Sequence, residues 1–174
     1  LRSDTQDPET IASRLFDTMA FGAHPYGSDG NGTPESVAAL TRDDILTSHQ
    51  GALARDRIFV AATGDITAAE LGLLLDELLG DLPATGMAFP APATVNLTGG
   101  VTLRAYPGPQ SVIMFGHGGI PRDDPDFFAA TILNEVLGGG RFGARLMTEV
   151  REKRGLTYGI GTYLADYDQA DLVV

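Results

Sequence analysis

The segment 137–160, LGGGRFGARLMTEVREKRGLTYGI, constrains the fold more than any other part of the chain. Its three consecutive glycines allow either a positive φ or a close approach to another backbone. From Phe142 onward apolar residues recur every four positions, at Phe142, Leu146 and Val150, which predicts an amphipathic helix. The segment therefore predicts a glycine-rich loop that leads directly into a helix.

The predicted helix ends in basic residues. Lys153 and Arg154 place positive charge at its C-terminal end, where the helix dipole favours it, and Gly155 suits a left-handed position just beyond. The run that follows, 156–165, is rich in Tyr, Thr and Ile and predicts a strand. A helix and a strand should thus meet at one tight corner.

Arg151, in the last helical turn, and Tyr158, at the start of the strand, would flank this corner. On spacing alone, a solvated helix-end arginine and an amphipathic core tyrosine are the more common interpretation. The whole segment, however, resembles a segment of the pitrilysin/insulinase family of zinc peptidases. In that family a Gly-rich loop precedes a helix ending in an Arg, and a Tyr follows seven residues later, as in this chain.

The resemblance implies a site role for these residues. In the family, the Arg and the Tyr lie in the second half of the molecule and face the zinc site carried by the first half. By position, Tyr158 would donate a hydrogen bond to the scissile carbonyl and Arg151 would anchor the substrate backbone. The loop residues expected along an extended substrate are Gly138, Gly139, Gly140 and Phe142.

Composition excludes several classes of function. Twelve basic and 23 acidic residues give a net charge of −11, which argues against nucleic acid or an anionic membrane surface as partner. The chain has no cysteine, so disulfides and thiolate metal sites are excluded. No apolar run approaches the length of a membrane span. With 43% hydrophobic and 20% charged residues, the composition of the 174-residue chain is that of a globular protein.

The first part of the chain predicts capped helices around one strand. Asp7 followed by Pro8 predicts a helix start, and capping-box patterns at Thr41 and Thr67 predict two more. The run 57–63 predicts a strand. The first helix should bury a stripe of Ile11, Leu15 and Met19. The leucines expected on the buried side of the helix after Thr67 are Leu71, Leu74, Leu75, Leu78 and Leu79.

Residues 81–100 are rich in Pro and Ala, which favours an extended connector. Beyond it, 101–106 and 111–117 predict two strands, and Asp124 followed by Pro125 predicts another helix start. The expected fold class is α+β, with an antiparallel-rich sheet packed by helices in two-layer half-domains. By resemblance these halves form a tandem repeat, each copy incomplete here: 1–85 ends the first half-domain, 86–100 is the linker, and 101–174 begins the second.

Metal chemistry is where the sequence departs from an active family member. Such a member carries His-x-x-Glu-His on a helix, with two zinc-ligating histidines and a general base. This chain lacks the motif, and His24, His49 and His117 are too far apart for ligand spacing. We therefore expect no metal ligands in this chain. By resemblance, zinc would be held upstream in the parent enzyme or by a partner subunit. For His24 a structural hydrogen-bonding role is expected.

The resemblance leaves two arrangements open. The chain is either the middle of a single-chain zinc peptidase or the zinc-free partner of a separate zinc-bearing subunit. Segments such as ALARDRIFVAATGDI resemble the zinc-free bacterial partner slightly more than the single-chain enzyme. Either arrangement implies a peptide substrate and a homodimer or heterodimer. The compartment stays undecided between the bacterial periplasm and the cytoplasm. The first residue, Leu1, and the strand-like C-terminal run indicate a fragment.

Two other classes of function compete with a peptidase. A relative in the family serves as a core protein of a respiratory membrane complex, keeping the fold without catalysis; intact Arg151 and Tyr158 speak against that role. The run 138–143, GGGRFG, also resembles a phosphate-binding loop before a helix. It lacks the Gly-Lys-Ser/Thr sequence and follows a predicted helix rather than a strand, so a nucleotide-binding module is the weaker alternative.

Overall fold

A computed structural model gives the structure of the chain and describes residues 4–174, except for the side chain of Arg141. The α-helices, in chain order, are α1 (Pro8–Phe21), α2 (Pro34–Ala39), α3 (Arg42–Ala52), α4 (Ala68–Leu79) and α5 (Phe127–Asn134). The strands are β1 (His117–Gly118), β2 (Leu164–Tyr167) and β3 (Ala170–Val173). Short 3-10 turns lie at Asp4–Gln6, Pro25–Gly27, Arg55–Arg57 and Arg141–Gly143, and π-helical segments at Glu135–Gly139 and Met147–Glu152.

The chain forms two compact units. One contains the chain up to Thr33 together with Pro90–Val174, and the other is Pro34–Phe89. Helices combined with a small antiparallel sheet confirm the predicted α+β class. The half-domain boundaries at 85 and 101, and the tandem repeat, stay predictions. Among the described residues, no helix is long and apolar enough to cross a membrane.

In the first unit, α1 begins as predicted. The Asp7 carboxylate accepts hydrogen bonds from the Thr10 hydroxyl at 2.6 Å and from the Thr10 amide at 2.9 Å, and these two bonds lower the pKa of Asp7. The buried face differs from the expected stripe, because the residues of α1 that are buried are Phe16, Ala20 and Phe21. Met19, predicted to be buried, is exposed, since the sheet packs on the neighbouring face of the helix.

The core of this unit lies where α1 meets a β-hairpin. Strands β2 and β3 pair antiparallel, with Leu164 opposite Val173 and Tyr167 opposite Ala170, and β1 adds to the other edge of β3. Leu172 is buried against Phe16 and Ala20. Burying a side chain of the size of Leu172 or Phe16 stabilises a fold by about 2 kcal/mol.

The connector is fixed to this unit along part of its length. The amide of Asn96 donates to the carbonyl of Ala20 at 2.8 Å, and that of Ala93 donates to Gln169 at 2.7 Å. Connector side chains Val95 and Leu97 pack against the core. From Pro90 onward the Pro-rich run forms no helix or strand, and these bonds hold it against α1 and the turn between β2 and β3.

In the second unit the predicted caps are present. Thr41 and Asp44 form a capping box at the start of α3, and Thr67 and Glu70 form one at the start of α4. Helix α4 ends before Gly80, as predicted. The predicted burial of one face of α4 is wrong, because none of the residues that the structure describes in this helix is buried. Leu74 and Leu78, both expected to be buried, are exposed.

A second set of contacts closes this unit around Arg57. Its Nη2 donates to the carbonyl of Met87 at 2.9 Å, and its guanidinium lies 4.6 Å from the ring centre of Phe89. Asp56 accepts from Arg57 and from the amide of Gly86, and these contacts lower the pKa of Asp56. The side chain of Arg57 thus holds the end of the unit against its middle.

Four strand predictions are wrong in whole or in part. Residues 57–63, 101–106 and 111–116 form no strand, and Ile58 is extended without a ladder. A strand requires a hydrogen-bonded neighbour, and none of the described residues pairs with these runs. The strand predicted at 156–165 begins only at Leu164, where β3 supplies the partner.

Candidate functional site

The glycine-rich segment continues directly from α5. That helix begins at Phe127 rather than at the predicted Asp124, because Asp124 caps a preceding turn by accepting from the Asp126 amide at 2.8 Å. It then widens into the π-helical segment Glu135–Gly139. A helix therefore precedes the glycines, which does not fit the strand, loop and helix order of a phosphate-binding loop.

The glycine triplet serves close packing rather than positive φ. Gly138 is buried, and a Cβ added there would lie 2.6 Å from the Thr162 amide nitrogen. A Cβ on Gly139 would meet the side chain of Glu135 at 2.7 Å. None of the three is among the glycines with positive φ. Of the two uses of glycine that the sequence allowed, the structure shows the close approach.

Two buried oxygen atoms border this segment. Thr162 is 7% exposed, and neither its Oγ1 nor the Oδ1 of Asn134 has a hydrogen-bond partner within the part of the chain that the structure describes. Buried polar atoms usually have one. Nothing in the sequence pointed to these two atoms, because Thr162 comes close to Gly138 only in the tertiary fold.

The helix after the glycines starts later than predicted. A 3-10 turn, Arg141–Gly143, comes first, and the helical residues run from Arg145 to the end of the π-helical segment Met147–Glu152. Phe142 therefore does not lie on the helix stripe with Leu146. It sits in the loop, 66% exposed.

The end of the helix forms the predicted corner. Gly155 has φ +62°, and its amide donates to the carbonyl of Arg151 at 2.9 Å. The amide of Leu156 donates to Val150 at 3.1 Å. These bonds satisfy carbonyls at the helix end and reverse the chain, which brings Tyr158 back toward Arg151.

Arg151 lies over two aromatic rings. Its Cζ is 5.4 Å from the ring centre of Tyr158 and 5.1 Å from that of Phe142. Both distances are within the range of cation–π attraction. We call Phe142, Arg151 and Tyr158 the arginine corner. The sequence predicted that Arg151 and Tyr158 meet, but it gave no reason to expect Phe142 beside them.

The arginine corner is open and keeps its charge. Tyr158 is 91% exposed. Within the described part of the chain, the Arg151 guanidinium has no hydrogen bond and no ion pair. Glu149, on the same helical segment, is bound to Lys153 at 2.6 Å, which lowers the pKa of Glu149. The N–H donors of Arg151 and the hydroxyl of Tyr158 are thus available to a ligand.

The histidines lie elsewhere. The Nδ1 of His24 accepts from the Tyr26 amide at 3.2 Å, and its Nε2 lies 2.9 Å from the carbonyl of Ala91. This confirms the predicted hydrogen-bonding role. Residues 4–174, as described, contain no group of three or more His, Cys, Asp or Glu side chains that could hold a metal. They do not fit a zinc site, and no catalytic step is assigned to a metal on them.

Comparison with known protein families establishes the family to which the chain belongs. The family model described as the peptidase M16 inactive domain matches residues 39–174. The chain belongs to the peptidase M16 family. This is the pitrilysin/insulinase resemblance that the segment around Arg151 and Tyr158 indicated, and it confirms the predicted family.

Relatives of this M16 chain include an uncharacterized zinc protease from Mycobacterium leprae. The two are 33% identical over 158 residues, which cover 88% of this chain and 35% of the relative. The M16 inactive domain from Pseudomonas fluorescens, a crystal structure, matches with a TM-score of 0.83 and 30% identity. This match covers 99% of this chain and 42% of that structure. The chain thus spans well under half the length of these M16 proteins.

A more distant structure shares the fold alone. A chain of complex III2 from Candida albicans matches this M16 chain with a TM-score of 0.71 at 16% identity, covering 99% of this chain and 42% of that one. At this identity the likeness extends to the arrangement of helices and strands. It does not extend to the chemistry of the arginine corner.

Proposed function

We propose that this M16 chain is the zinc-free portion, or the zinc-free partner subunit, of a zinc-dependent metalloendopeptidase, and that it contributes Arg151 and Tyr158 to the active site. The observation that carries the proposal is the contact between these two side chains at an exposed corner, 5.4 Å apart. The zinc of the assembled enzyme belongs to another half or subunit. Family membership supports this, since relatives are named zinc proteases whereas the matched domain is described as inactive.

Tyr158 acts on the scissile carbonyl. Its phenolic O–H can donate a hydrogen bond, and its exposure lets it reach a peptide bound at the corner. A hydrogen bond to the carbonyl oxygen becomes stronger as negative charge develops there, so it stabilises the transition state more than the substrate.

Arg151 holds the peptide. Its guanidinium keeps a full positive charge and donates charge-assisted hydrogen bonds to main-chain carbonyls. Within the described part of the chain Glu149 pairs with Lys153 and no carboxylate forms an ion pair with Arg151, so its donors stay available to the peptide. Arg151 thus fixes the register of the peptide relative to Tyr158.

The glycine-rich segment forms the surface along which the peptide lies. Gly139 and Gly140 are at least partly exposed and present bare backbone for main-chain contacts. Gly138 is buried and does not face the peptide. Its role is to let the segment pack closely against Thr162. The exposed ring of Phe142 offers the peptide an apolar contact beside Arg151.

A second candidate is a catalytically inactive assembly subunit of the same fold. The description of the matched family model as an inactive domain favours it. Under this alternative the arginine corner contacts a neighbouring subunit instead of a peptide, and its loss leaves proteolysis unchanged.

The test separates these candidates. The full-length protein is purified alone, its zinc content is measured, and cleavage of a quenched fluorescent peptide is followed alone and with the zinc-bearing M16 subunit of the same organism. The proposal expects chelator-sensitive cleavage in one of these preparations, lost in Arg151→Leu and retained in the matched control Arg154→Leu. Cleavage that is absent from both preparations, or equal in both variants, favours the assembly subunit.

A further inference from the structure

We propose that Phe142 is a positioning residue for Arg151. Its ring holds the guanidinium at the corner, ready for a peptide carbonyl. The inference rests on the proposed function for its catalytic consequence. The contact itself is a property of this chain: the Arg151 Cζ lies 5.1 Å from the Phe142 ring centre, slightly closer than to that of Tyr158.

The contact does not follow from core packing. Phe142 is 66% exposed and is absent from the buried cluster around Phe16 and Leu172. Arg151 supplies the one ring or charge contact found for Phe142 among the described residues. An exposed phenylalanine in a glycine-rich loop is therefore accounted for by the arginine it touches.

Aromatic rings hold an arginine in a way that a carboxylate cannot. A carboxylate would neutralise the charge and occupy two of the five N–H donors. A ring attracts the cation through its π face and leaves the N–H groups free. Between them, Phe142 and Tyr158 restrict the long Arg151 side chain while its charge and donors stay available to a ligand.

Restricting Arg151 in advance lowers the entropy lost when a peptide binds. A free arginine side chain samples many rotamers, and each binding event must select one of them. Phe142 makes part of that selection before the peptide arrives. Its removal should therefore weaken peptide binding and leave the hydrogen bond from Tyr158 in place, so KM should rise more than kcat falls.

The first arm of the test does not depend on proteolysis. The full-length protein is treated briefly with phenylglyoxal, which modifies arginines, and labelling at Arg151 and Arg154 is quantified by peptide mass spectrometry. Arg154, on the same helix end, is the internal control. In Phe142→Leu we expect labelling at Arg151 relative to Arg154 to rise about 2- to 5-fold, as for loss of an exposed cation–π contact. Phe142→Tyr, which keeps the ring, should restore the wild-type ratio.

An unchanged ratio in Phe142→Leu, with Arg154 labelled to the same extent as in the wild type, overturns the positioning role. If Phe142→Leu unfolds, seen as a parallel rise in labelling at both arginines, Phe142→Met takes its place. An unchanged ratio in that folded variant is equally decisive against the proposal.

The second arm measures peptide cleavage in the active preparation. Phe142→Leu should lower kcat/KM about 3- to 10-fold, mainly through KM, and Phe142→Tyr should recover most of it. A changed labelling ratio with no effect of Arg151→Leu on cleavage removes the proposed function and leaves the positioning role standing. A loss confined to kcat contradicts the binding argument. Phe142 is proposed to aid peptide binding through Arg151, and weaker binding appears in KM.

Discussion

The Arg151 guanidinium lies 5.4 Å from the ring centre of Tyr158, although a helix end and a chain reversal separate the two residues. The contact exists because Gly155 adopts a left-handed conformation between them. The helix end thus places an unneutralised cation beside an exposed phenol.

The first prediction concerns the phenol. Tyr158→Phe removes the hydroxyl and keeps the ring under Arg151. Loss of one donor to a developing oxyanion lowers kcat by about 10- to 1000-fold, and we expect a loss in that range with zinc content of the active preparation unchanged. Steady-state cleavage of a fluorescent peptide measures it. Tyr163→Phe, five residues further on and also exposed, is the matched control and should retain activity. Full activity of Tyr158→Phe would remove this hydroxyl from the mechanism.

The second prediction concerns the chain reversal. An L residue at φ +62° is strained, so Gly155→Ala should lower the free energy of unfolding by about 1 kcal/mol. Displacement of Tyr158 from Arg151 should also reduce peptide cleavage. Gly159→Ala is the control, because Gly159 has no positive φ and an added Cβ meets nothing within 4 Å. Equal melting curves for the two variants would show that the left-handed position carries no constraint.

The third prediction concerns the packing of the glycine triplet. Gly138→Ala forces a methyl group against the Thr162 amide nitrogen, which an added Cβ would approach to 2.6 Å. Overpacking of this kind destabilises by about 1–3 kcal/mol. Urea unfolding measures the loss. Gly143→Ala, with open space around the added Cβ, should lie close to wild type, and a neutral Gly138→Ala would contradict the close approach.

The fourth prediction concerns pH. Burial raises the pKa of Asp171, and the nearby charges of Asp166 and Asp123 add to the shift. Because the folded-state pKa exceeds that of the unfolded chain, the protonated form favours folding. That stability is fully present below the unfolded value of about 3.9 and is lost as the pH rises through the folded value.

Asp171→Asn should therefore raise the melting temperature at pH 7, with a gain that shrinks toward about pH 4. Thermal unfolding across this range measures the difference between variant and wild type. The exposed Asp65, replaced in the same way, is the control and should give no comparable trend. A gain that is constant with pH would mean that charge on Asp171 is not its cause.

Local chemistry in the sequence predicted the starts and ends of several helices correctly. The Asp7 cap and the capping boxes at Thr41 and Thr67 depend on residues three positions apart, so the tertiary fold is not needed to form them. The left-handed turn at Gly155 is local in the same sense. For this reason the corner that joins Arg151 to Tyr158 could be predicted, although its role in peptide cleavage stays a proposal.

Strands and buried faces were predicted less well. The run 57–63 has the composition of a strand, but pairing requires a neighbour that composition does not specify. The leucines of α4 are spaced for burial, yet burial requires a second surface. In α1 the sheet selected the face of Phe16 and Ala20 over that of Met19, because the hairpin packs on that side.

The sequence by itself determined the family, the helix caps and the meeting of Arg151 with Tyr158, because each is written in residues close together in the chain. Tertiary structure alone decided that Gly138 packs on Thr162, and that Phe142 leaves the helix stripe to contact Arg151. These contacts join segments with no periodic relation to one another. Their physical basis is close packing and the attraction of a cation to a ring, and both depend on where the folded backbone places the side chains.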